Sequence, residues 1–295
     1  MAFTNVLKKH LLIVFLLLGI TYLNTIQAQP EIKPVQLTDN ITLLPIYGVN
    51  TTAFKYGKEA LVIDAGYEQV SKLLEAELEK LGIEKVTYLI NTHWHFDHVG
   101  GNKYFGNNSE VIAHSSVREL LTRDEMLLGD IQKAYPTEAL PDITIDGKAT
   151  LYLDSEEIEL IPLPGAHTGG DILVWFKNAN IVHIGDIVFA DIFPFVDVDH
   201  GGSVLTSAEN LNKIMEMFPE DIKLIPGHGR VLSIDDVQKH REMVMTTTDI
   251  VKKEIDAGKS KDEIIAANVL NEWQDWGKAF TCADWIGMIY DSLKK

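Results

Sequence analysis

Apolar and polar residues follow two periods along this chain, and these periods predict a succession of strands and helices. Short apolar or alternating runs are typical of strands, whereas apolar residues spaced three and four apart are typical of helices. The predicted strands are 41–47, 59–63, 86–90, 111–113, 149–153, 157–162, 172–176, 181–184 and 222–225. The predicted helices are 69–81, 115–134, 207–218, a long one from 233, 259–270 and 283–293. The order of strands, helix and strand occurs twice, which predicts an α/β (α+β) fold with two mixed sheets packed together and helices outside.

The first 28 residues have the pattern of a secretory signal peptide. Two lysines precede an apolar run at 11–20, and Ala28 is a suitable cleavage site. The run is too short to cross a bilayer comfortably, since a span needs roughly 20 apolar residues. We therefore predict a cleaved signal at 1–28, a single domain at 29–295 and a periplasmic or secreted location. An uncleaved membrane anchor is the alternative.

Acidic residues dominate the charge of the chain. It has 26 basic and 43 acidic residues, a net charge of −17, and the segment 1–28 holds two of the basic residues and none of the acidic ones. Such a surface repels phosphate groups, so we expect no nucleic acid partner and, after signal cleavage, no membrane partner. Cys282 is the single cysteine, which excludes an internal disulfide. We expect a small-molecule substrate, and the pattern indicates no particular oligomeric state.

Four side chains of metal-ligand type occur within six residues, directly after the predicted strand 86–90. They are His93, His95, Asp97 and His98. In an extended segment, alternation would place His93, His95 and Asp97 on one side, with the intervening aromatic residues in packing. An apolar strand leads into the group, which favours a buried site over a run of surface histidines.

Three isolated residues complete the candidate site. His167, Asp186 and His228 each lie near the end of a predicted strand beside glycine, where the backbone can approach a metal closely. Imidazole and carboxylate groups suit zinc, and they also accept manganese or iron. We therefore predict a metal site in which all seven residues take part.

The motif His93-Trp-His95-Phe-Asp97-His98, followed in order by the three isolated residues, resembles the signature of the metallo-β-lactamase superfamily. The resemblance extends from about residue 35 to residue 230. It implies a four-layer αββα sandwich, in which two mixed β-sheets are flanked by helices and the site lies at one edge between the sheets.

The resemblance also implies how the ligands divide between two zinc ions. His93, His95 and His167 resemble the ligands of one ion, Asp97, His98 and His228 resemble those of the other, and Asp186 resembles the bridging carboxylate. Asp64 resembles the acid that supports such a site from behind, as ligating histidines need an oriented partner. His114, at a strand end, is a further candidate for that supporting role.

The chemistry expected of such a centre is hydrolysis of a carbonyl compound. Zinc can lower the pKa of a bound water to about 7, so that hydroxide forms near neutral pH and attacks the carbonyl carbon. Asp97 is the candidate catalytic residue, since it can orient the nucleophile and pass a proton to the leaving group.

The substrate cleft is expected beside the metals, in the segment that follows Asp186. Phe189, Phe193, Phe195 and His200 are candidate cleft residues, and a loop near 47–54 is a second candidate wall. His183, within a predicted strand, is expected to be a core residue.

The type of hydrolase is less sharply defined. The β-lactamase branch with a thiolate ligand has cysteine in place of Asp186 and lysine in place of Phe189, and the lactonase branch often has tyrosine at that second place. Expected export makes β-lactam hydrolysis the leading specific hypothesis. The alternatives are a thioesterase or lactonase, of the glyoxalase II or quorum-quenching type, and, from other classes, an iron-dependent redox enzyme or a non-catalytic binding module.

Overall fold

Alternating apolar residues form fourteen strands within residues 32–295, the part of the chain that the computed structural model describes. The predicted signal peptide lies outside this part. The strands are β1 (Val35–Gln36), β2 (Ile41–Ile46), β3 (Val49–Tyr56), β4 (Glu59–Ile63), β5 (Lys85–Ile90), β6 (Glu110–His114), β7 (Glu125–Leu127), β8 (Asp130–Gln132), β9 (Ile143–Ile145), β10 (Ala149–Leu153), β11 (Glu156–Pro162), β12 (Ile172–Phe176), β13 (Ile181–Gly185) and β14 (Lys223–Pro226).

Eight α-helices lie between or after these strands in the described part of the chain. They are α1 (Ser71–Lys80), α2 (Phe96–Val99), α3 (Asn102–Phe105), α4 (Ser115–Leu121), α5 (Val204–Met217), α6 (Ile234–Asp256), α7 (Lys261–Ala266) and α8 (Cys282–Lys294). The helices α6, α7 and α8 each begin at a capping box, in which a serine or threonine and the acid three residues later satisfy free backbone amides. None of the helices within 32–295 combines the length and the apolar character that a membrane crossing requires.

The strands form two large mixed sheets. The first has seven strands in the order β1-β2-β3-β4-β5-β6-β9, and the second has five in the order β10-β11-β12-β13-β14. In the first sheet β4, β5, β6 and β9 run parallel, and in the second β13 and β14 run parallel. The carboxyl ends of parallel strands meet at one edge of a sheet, so the loops that follow β5, β13 and β14 can converge.

The inner faces of the two sheets form a shared apolar core. Along β12, Ile172, Val174 and Phe176 face the first sheet, where they pack with residues such as Phe54 and Ile112. This alternation is the period of two that a strand with two covered faces requires.

Helices cover the outer faces. Leu173 of β12 points to the opposite side, into a second core with α5, α6 and α8. On the first sheet, Ala113 of β6 packs with Val117 and Leu121 of α4. The predicted αββα architecture of two mixed sheets flanked by helices is therefore confirmed. Residues 34–295 form one compact unit. The predicted start of the domain at residue 29 lies outside the described residues and stays a prediction.

Two predicted elements are wrong. The helix expected at 115–134 ends at Leu121, and the rest of that segment contains the hairpin β7–β8. Leu128 and Gly129 form its turn with φ of 53° and 88°, and two central residues with positive φ are typical of a tight hairpin turn. The segment 47–54, expected to be a loop, mostly belongs to β3. It shows no alternation because both faces of the strand are buried there.

Candidate metal centre

The chain changes conformation inside the motif that follows β5. The residues up to His95 are not helical, and α2 begins at Phe96, so Asp97 and His98 lie in its first turn. The expected alternation therefore stops at His95, and Asp97 shares no group of possible metal ligands with His93, although His98 is grouped with each of them. Trp94 is buried as expected, whereas Phe96 is 42% exposed.

Three imidazole rings converge in what we call the three-histidine cluster, formed by His93, His95 and His167. His95 Nδ1 lies 3.1 Å from His93 Nε2 and 3.0 Å from His167 Nε2. All three side chains are buried. Three ring nitrogens that converge in this way form a donor set that could hold a transition metal.

Asp97, His98 and His228 form a second group, the aspartate cluster. Asp97 Oδ2 lies 3.2 Å from His228 Nε2 and 3.5 Å from His98 Nε2. His98 is fully buried, while the side chains of His228 and Asp97 are 28% and 15% exposed. This cluster therefore faces solvent on one side, unlike the three-histidine cluster.

Asp186 joins the two clusters. Its Oδ1 lies 3.5 Å from His98 Nε2, and its Oδ2 lies 3.3 Å from His228 Nε2 and 3.7 Å from His167 Nε2. Its Oδ1 is buried and accepts no hydrogen bond from the described residues. A buried carboxylate oxygen without a donor is costly unless a cation neutralises it. The arrangement therefore fits a divalent metal.

The loop that carries His228 is held in place from the first sheet. Asn50 of β3 donates side-chain hydrogen bonds of 2.8 Å to the carbonyl oxygens of Pro226 and Gly229, and its backbone amide donates to Gly227 at 2.7 Å. His228 Nδ1 lies 2.8 Å from the carbonyl oxygen of Gly48, which leaves Nε2 directed at Asp97. The strand β3, missed in the sequence, is thus what positions this ligand.

Gly227 permits the close approach of that loop to Asp186. A Cβ atom added at Gly227 would overlap Asp186 Oδ1 and would lie 2.7 Å from His98 Cε1. The absence of a side chain is therefore a condition for the aspartate cluster to form.

Asp64 lies where the sequence places it, behind the ligands. Its Oδ2 is 2.8 Å from His98 Nδ1, and Thr92 donates to both of its oxygens at 2.8 and 2.7 Å. Asp64 is fully buried and adopts a φ of 55°, a conformation that few residues other than glycine take. It fixes His98 Nδ1 so that Nε2 faces the cluster.

Asp197 provides the matching contact for the three-histidine cluster, and sequence reasoning missed it. Asp197 Oδ2 lies 3.0 Å from His95 Nε2 and accepts a hydrogen bond from Trp94 Nε1 at 3.2 Å. On its far side, Asp197 Oδ1 lies 2.8 Å from His200 Nδ1. An aspartate eleven residues beyond Asp186, in a loop without a periodic pattern, gives no signal in a single sequence.

The protonation of the two clusters differs in the cation-free protein. Burial lowers the pKa of His167 to about 4, and burial together with the neighbouring histidines holds the pKa of His93 well below its usual value. Burial also opposes a charge on His228, but Asp186 and Asp97 outweigh it and raise its pKa to about 10. His93 and His167 are thus neutral at pH 7, whereas His228 holds a proton that a cation would displace.

A cavity of about 310 Å³ opens over the aspartate cluster. The metal-ligand type residues in its wall are His95, Asp97, Asp186 and His228, and the other wall residues are Tyr67, Phe96, Leu127, Leu128, Phe189, Ile192, Phe195, Ala279 and Phe280. Phe189 and Phe195 therefore lie where a cleft was expected. Phe280 comes from the segment before α8, and the two leucines come from the hairpin that was expected to be helical.

Three other expected site residues lie elsewhere. Phe193 is fully buried against Trp285, with ring centroids 5.8 Å apart, so it belongs to the core behind the cavity and not to the cleft. His200 packs on Trp94 behind the ligands and supports Asp197 instead of lining the cavity. His114 caps α4 through a bond from the Ser116 amide and does not support the metal site. His183 is a buried core residue, as expected, with Nε2 at 3.2 Å from the Asn50 carbonyl oxygen.

The fold and the site together define a class: two stacked mixed sheets, with a cluster of histidines and aspartates at the edge where their loops meet. The family model described as the metallo-beta-lactamase superfamily matches residues 44–228. The chain belongs to this superfamily, and the resemblance seen in its motif is confirmed.

Individual relatives agree with this assignment. A probable metallo-hydrolase from Methanocaldococcus jannaschii is 31% identical over 194 residues, which cover 63% of this chain and 90% of the relative. A protein named metallo-beta-lactamase type 2 from Elizabethkingia meningoseptica is 22% identical over 84% of this chain and 96% of the relative. The structure of a metallo-beta-lactamase from Pontibacter korlensis superimposes with a TM-score of 0.61 at 15% identity, over 73% of this chain and 99% of that one.

Proposed function

We propose that this protein is a metal-dependent hydrolase that cleaves a carbonyl ester, lactone, amide or thioester bond in a small molecule. The observation that carries the proposal is the convergence of seven ligand-type side chains in two clusters that share Asp186. Membership of a superfamily that consists mostly of metal-dependent hydrolases supports it. We propose two zinc ions as the resident metals, with manganese or iron as alternatives.

The residues of the chain have separate tasks in this proposal. The three-histidine cluster would hold one cation and the aspartate cluster the other, with Asp186 between them. Cations bound there would activate water for attack and polarise the carbonyl group. The aromatic and aliphatic wall of the cavity would exclude bulk water from the reacting group, which strengthens electrostatic interactions.

Asp97 is the proposed catalytic residue. Burial opposes its charge, but His98 and His228 hold its pKa well below the usual value, so the carboxylate is ionised at neutral pH. Asp97 also lies in the cavity wall. An ionised carboxylate at that place can accept a proton from the attacking water and pass it to the leaving group.

Two specific substrates follow from different observations. Expected export favours a β-lactam, and the name of the Elizabethkingia relative, metallo-beta-lactamase type 2, supports that candidate. The apolar wall of the cavity favours an ester, lactone or thiolactone. A periplasmic or secreted location remains part of the proposal, and fractionation of cells that produce the full-length chain tests it.

The test is a substrate panel with the purified protein, whose metal content is measured by mass spectrometry. Nitrocefin, a thiolactone and an aryl ester represent the candidates, and His95→Ala serves as the variant that lacks a ligand. We expect metal-dependent hydrolysis of at least one substrate, lost in His95→Ala and in chelator-treated protein while the folded structure is retained. Equal turnover with and without metal would refute the proposal.

The same panel separates the other classes. One iron per chain without hydrolysis would indicate a redox enzyme, and bound metal without any turnover would indicate a binding module. Turnover of the thiolactone without turnover of nitrocefin would reject the β-lactam candidate.

A further inference from the structure

We propose that the cavity over the aspartate cluster selects substrates with an uncharged apolar aryl or short acyl group and discriminates against substrates that carry a carboxylate remote from the scissile group. The proposal rests on the proposed hydrolytic function and names the substrate class of that same site. It follows from what the cavity wall contains and from the charges around it.

The wall is divided into a polar end and an apolar body. The four ligand-type residues form the polar end, and the other nine residues contribute aromatic rings, aliphatic side chains and one hydroxyl, that of Tyr67. The described residues place no lysine or arginine in the wall. A bound substrate would therefore meet charge only where its scissile group lies.

The aromatic residues of the wall are held in mutual contact. Phe195 and Phe280 are stacked, with centroids 5.4 Å apart and ring planes 16° apart. On the opposite side Phe189 stacks on the ligand-type ring of His228 at 5.8 Å. Such packing fixes flat apolar surfaces next to the polar end, which suits an aryl ring or a short chain attached to the reacting carbonyl.

A carboxylate in the apolar body of this cavity, away from the polar end, would lack a partner among the wall residues. Moving an ionised group into an apolar site is costly unless it is paired with a cation. Among the cations next to the wall segments, Arg230 pairs with Asp236, Lys239 pairs with Asp191 and Lys278 is exposed to solvent. A net charge of −17 adds repulsion during approach.

The experiment uses a matched pair of aryl esters, methyl 3-acetoxybenzoate and 3-acetoxybenzoate. They share the scissile acetyl group, and the neutral compound has a methyl ester where the other has a carboxylate, so the rate measured is that of acetate release. With metal-loaded protein we expect kcat/KM for the neutral ester to exceed that for the anion by roughly tenfold or more, mainly through KM, because the carboxylate must be desolvated without a partner. Equal values, or a preference for the anion, would overturn the inference while leaving the hydrolytic function intact.

A pair of variants connects the selectivity to the wall itself. Leu128 lies in the wall at the tip of the hairpin and is 61% exposed, whereas Met126 on the same hairpin is 56% exposed and lies outside the wall. Leu128→Lys should reduce the ratio of kcat/KM for the neutral ester to kcat/KM for the anion by about fivefold, which is the effect of one solvent-accessible ion pair. Met126→Lys adds the same charge and should leave the ratio unchanged. An unchanged ratio in Leu128→Lys, or an equal change in both variants, would contradict the proposal.

A binding measurement separates failure of the inference from failure of the function. If the metal-loaded protein cleaves neither ester, the hydrolytic proposal fails for this class. The corresponding amides, methyl 3-acetamidobenzoate and 3-acetamidobenzoate, then report the selectivity of the cavity by isothermal titration calorimetry. Tighter binding of the neutral amide supports the inference, and equal or tighter binding of the anion refutes it.

Discussion

The two halves of the metal centre use similar side chains in different surroundings. In the three-histidine cluster the ligands are buried, and each ring has a fixed partner for its other nitrogen: Thr92 for His93, Asp197 for His95 and the Phe195 carbonyl oxygen for His167. The aspartate cluster has one fully buried member, His98, and two members that face the cavity. In the proposed function, the three-histidine cluster is the enclosed half and would hold one cation, and the aspartate cluster is the open half and would present another to a substrate.

The electrostatic difference follows from the same geometry. In the enclosed half burial lowers the pKa of His93 and of His167 despite the nearby Asp186, whereas in the open half Asp97 and Asp186 raise the pKa of His228. A cation is expected to bind first where no proton must leave. We therefore expect the enclosed half to bind a cation more readily and the open half to contact the substrate.

The largest predicted effect comes from a substitution that disrupts only the open half of the metal centre. In Gly227→Ala the added Cβ overlaps Asp186 Oδ1 and crowds His98, so the aspartate cluster cannot assemble. We expect hydrolysis to fall by roughly 10³-fold or more, since several kcal/mol of metal-dependent stabilisation is lost. Metal analysis should show one cation retained in the enclosed half.

Gly287→Ala is the matched control for this substitution. A Cβ atom at that position in α8 meets no atom within 4 Å, so the variant should keep both activity and metal content. Full metal content and activity in Gly227→Ala would show that the crowding is relieved by movement of the loop and would contradict the prediction.

The next prediction addresses the two supporting acids. Asp64 contacts His98 in the open half and Asp197 contacts His95 in the enclosed half. Replacing either aspartate by asparagine should lower the metal affinity of its own half by about 10–100-fold, because the ligating histidine loses its oriented partner. Competition with a metal-binding dye measures both affinities. If either variant lowers the metal affinity of both halves equally, the halves are not independent.

The pH dependence of metal binding provides a third test. His228, whose pKa is raised to about 10 in the cation-free protein, is protonated at pH 7, so binding in the open half must release its proton. The affinity there should rise as the pH increases towards 10. His167, whose pKa is lowered to about 4, is already neutral above pH 5. It therefore adds no pH dependence to the metal affinity of the enclosed half above that pH. Calorimetry in buffers of different ionisation enthalpy counts the released protons, and equal release for both cations would contradict the comparison.

The smallest predicted effect concerns the contact behind Asp197. His200 lies 2.8 Å from Asp197 Oδ1 and 3.4 Å from Glu125 Oε2 in β7. His200→Gln should lower kcat/KM by about fivefold, in line with the loss of one hydrogen bond. A parallel Glu125→Gln variant should have a weaker effect. An unchanged kcat/KM in His200→Gln would contradict this prediction and would show that Trp94 holds Asp197 sufficiently.

The convergence of the candidate ligands could be predicted from the sequence because it depends on local signals. His93 to His98 form a dense motif, and the three isolated ligands stand at strand ends beside glycine. The order of the elements was sufficient to predict two stacked sheets. The main strands were found because their apolar residues either alternate or form short continuous runs.

The remaining features depend on contacts between distant segments. Asp197 reaches His95 across 102 positions, and Phe280 reaches the cavity from the carboxyl-terminal part of the chain. The hairpin β7–β8 was misread because its apolar residues continue the spacing of α4, and only the turn at Leu128 and Gly129 breaks it. Tyr67, in a loop before α1, has no pattern that would connect it with the site.

That hairpin stands apart from both large sheets, since within residues 32–295 its strands pair only with each other. It is anchored at its end, where Gln132 donates a 2.9 Å bond to the Trp94 carbonyl oxygen, and its tip supplies two wall residues. A short, self-contained piece of chain thus shapes the entrance without providing any ligand. Exchanging these few residues is a route by which natural or laboratory evolution can change which molecules enter while the reactive machinery stays as it is.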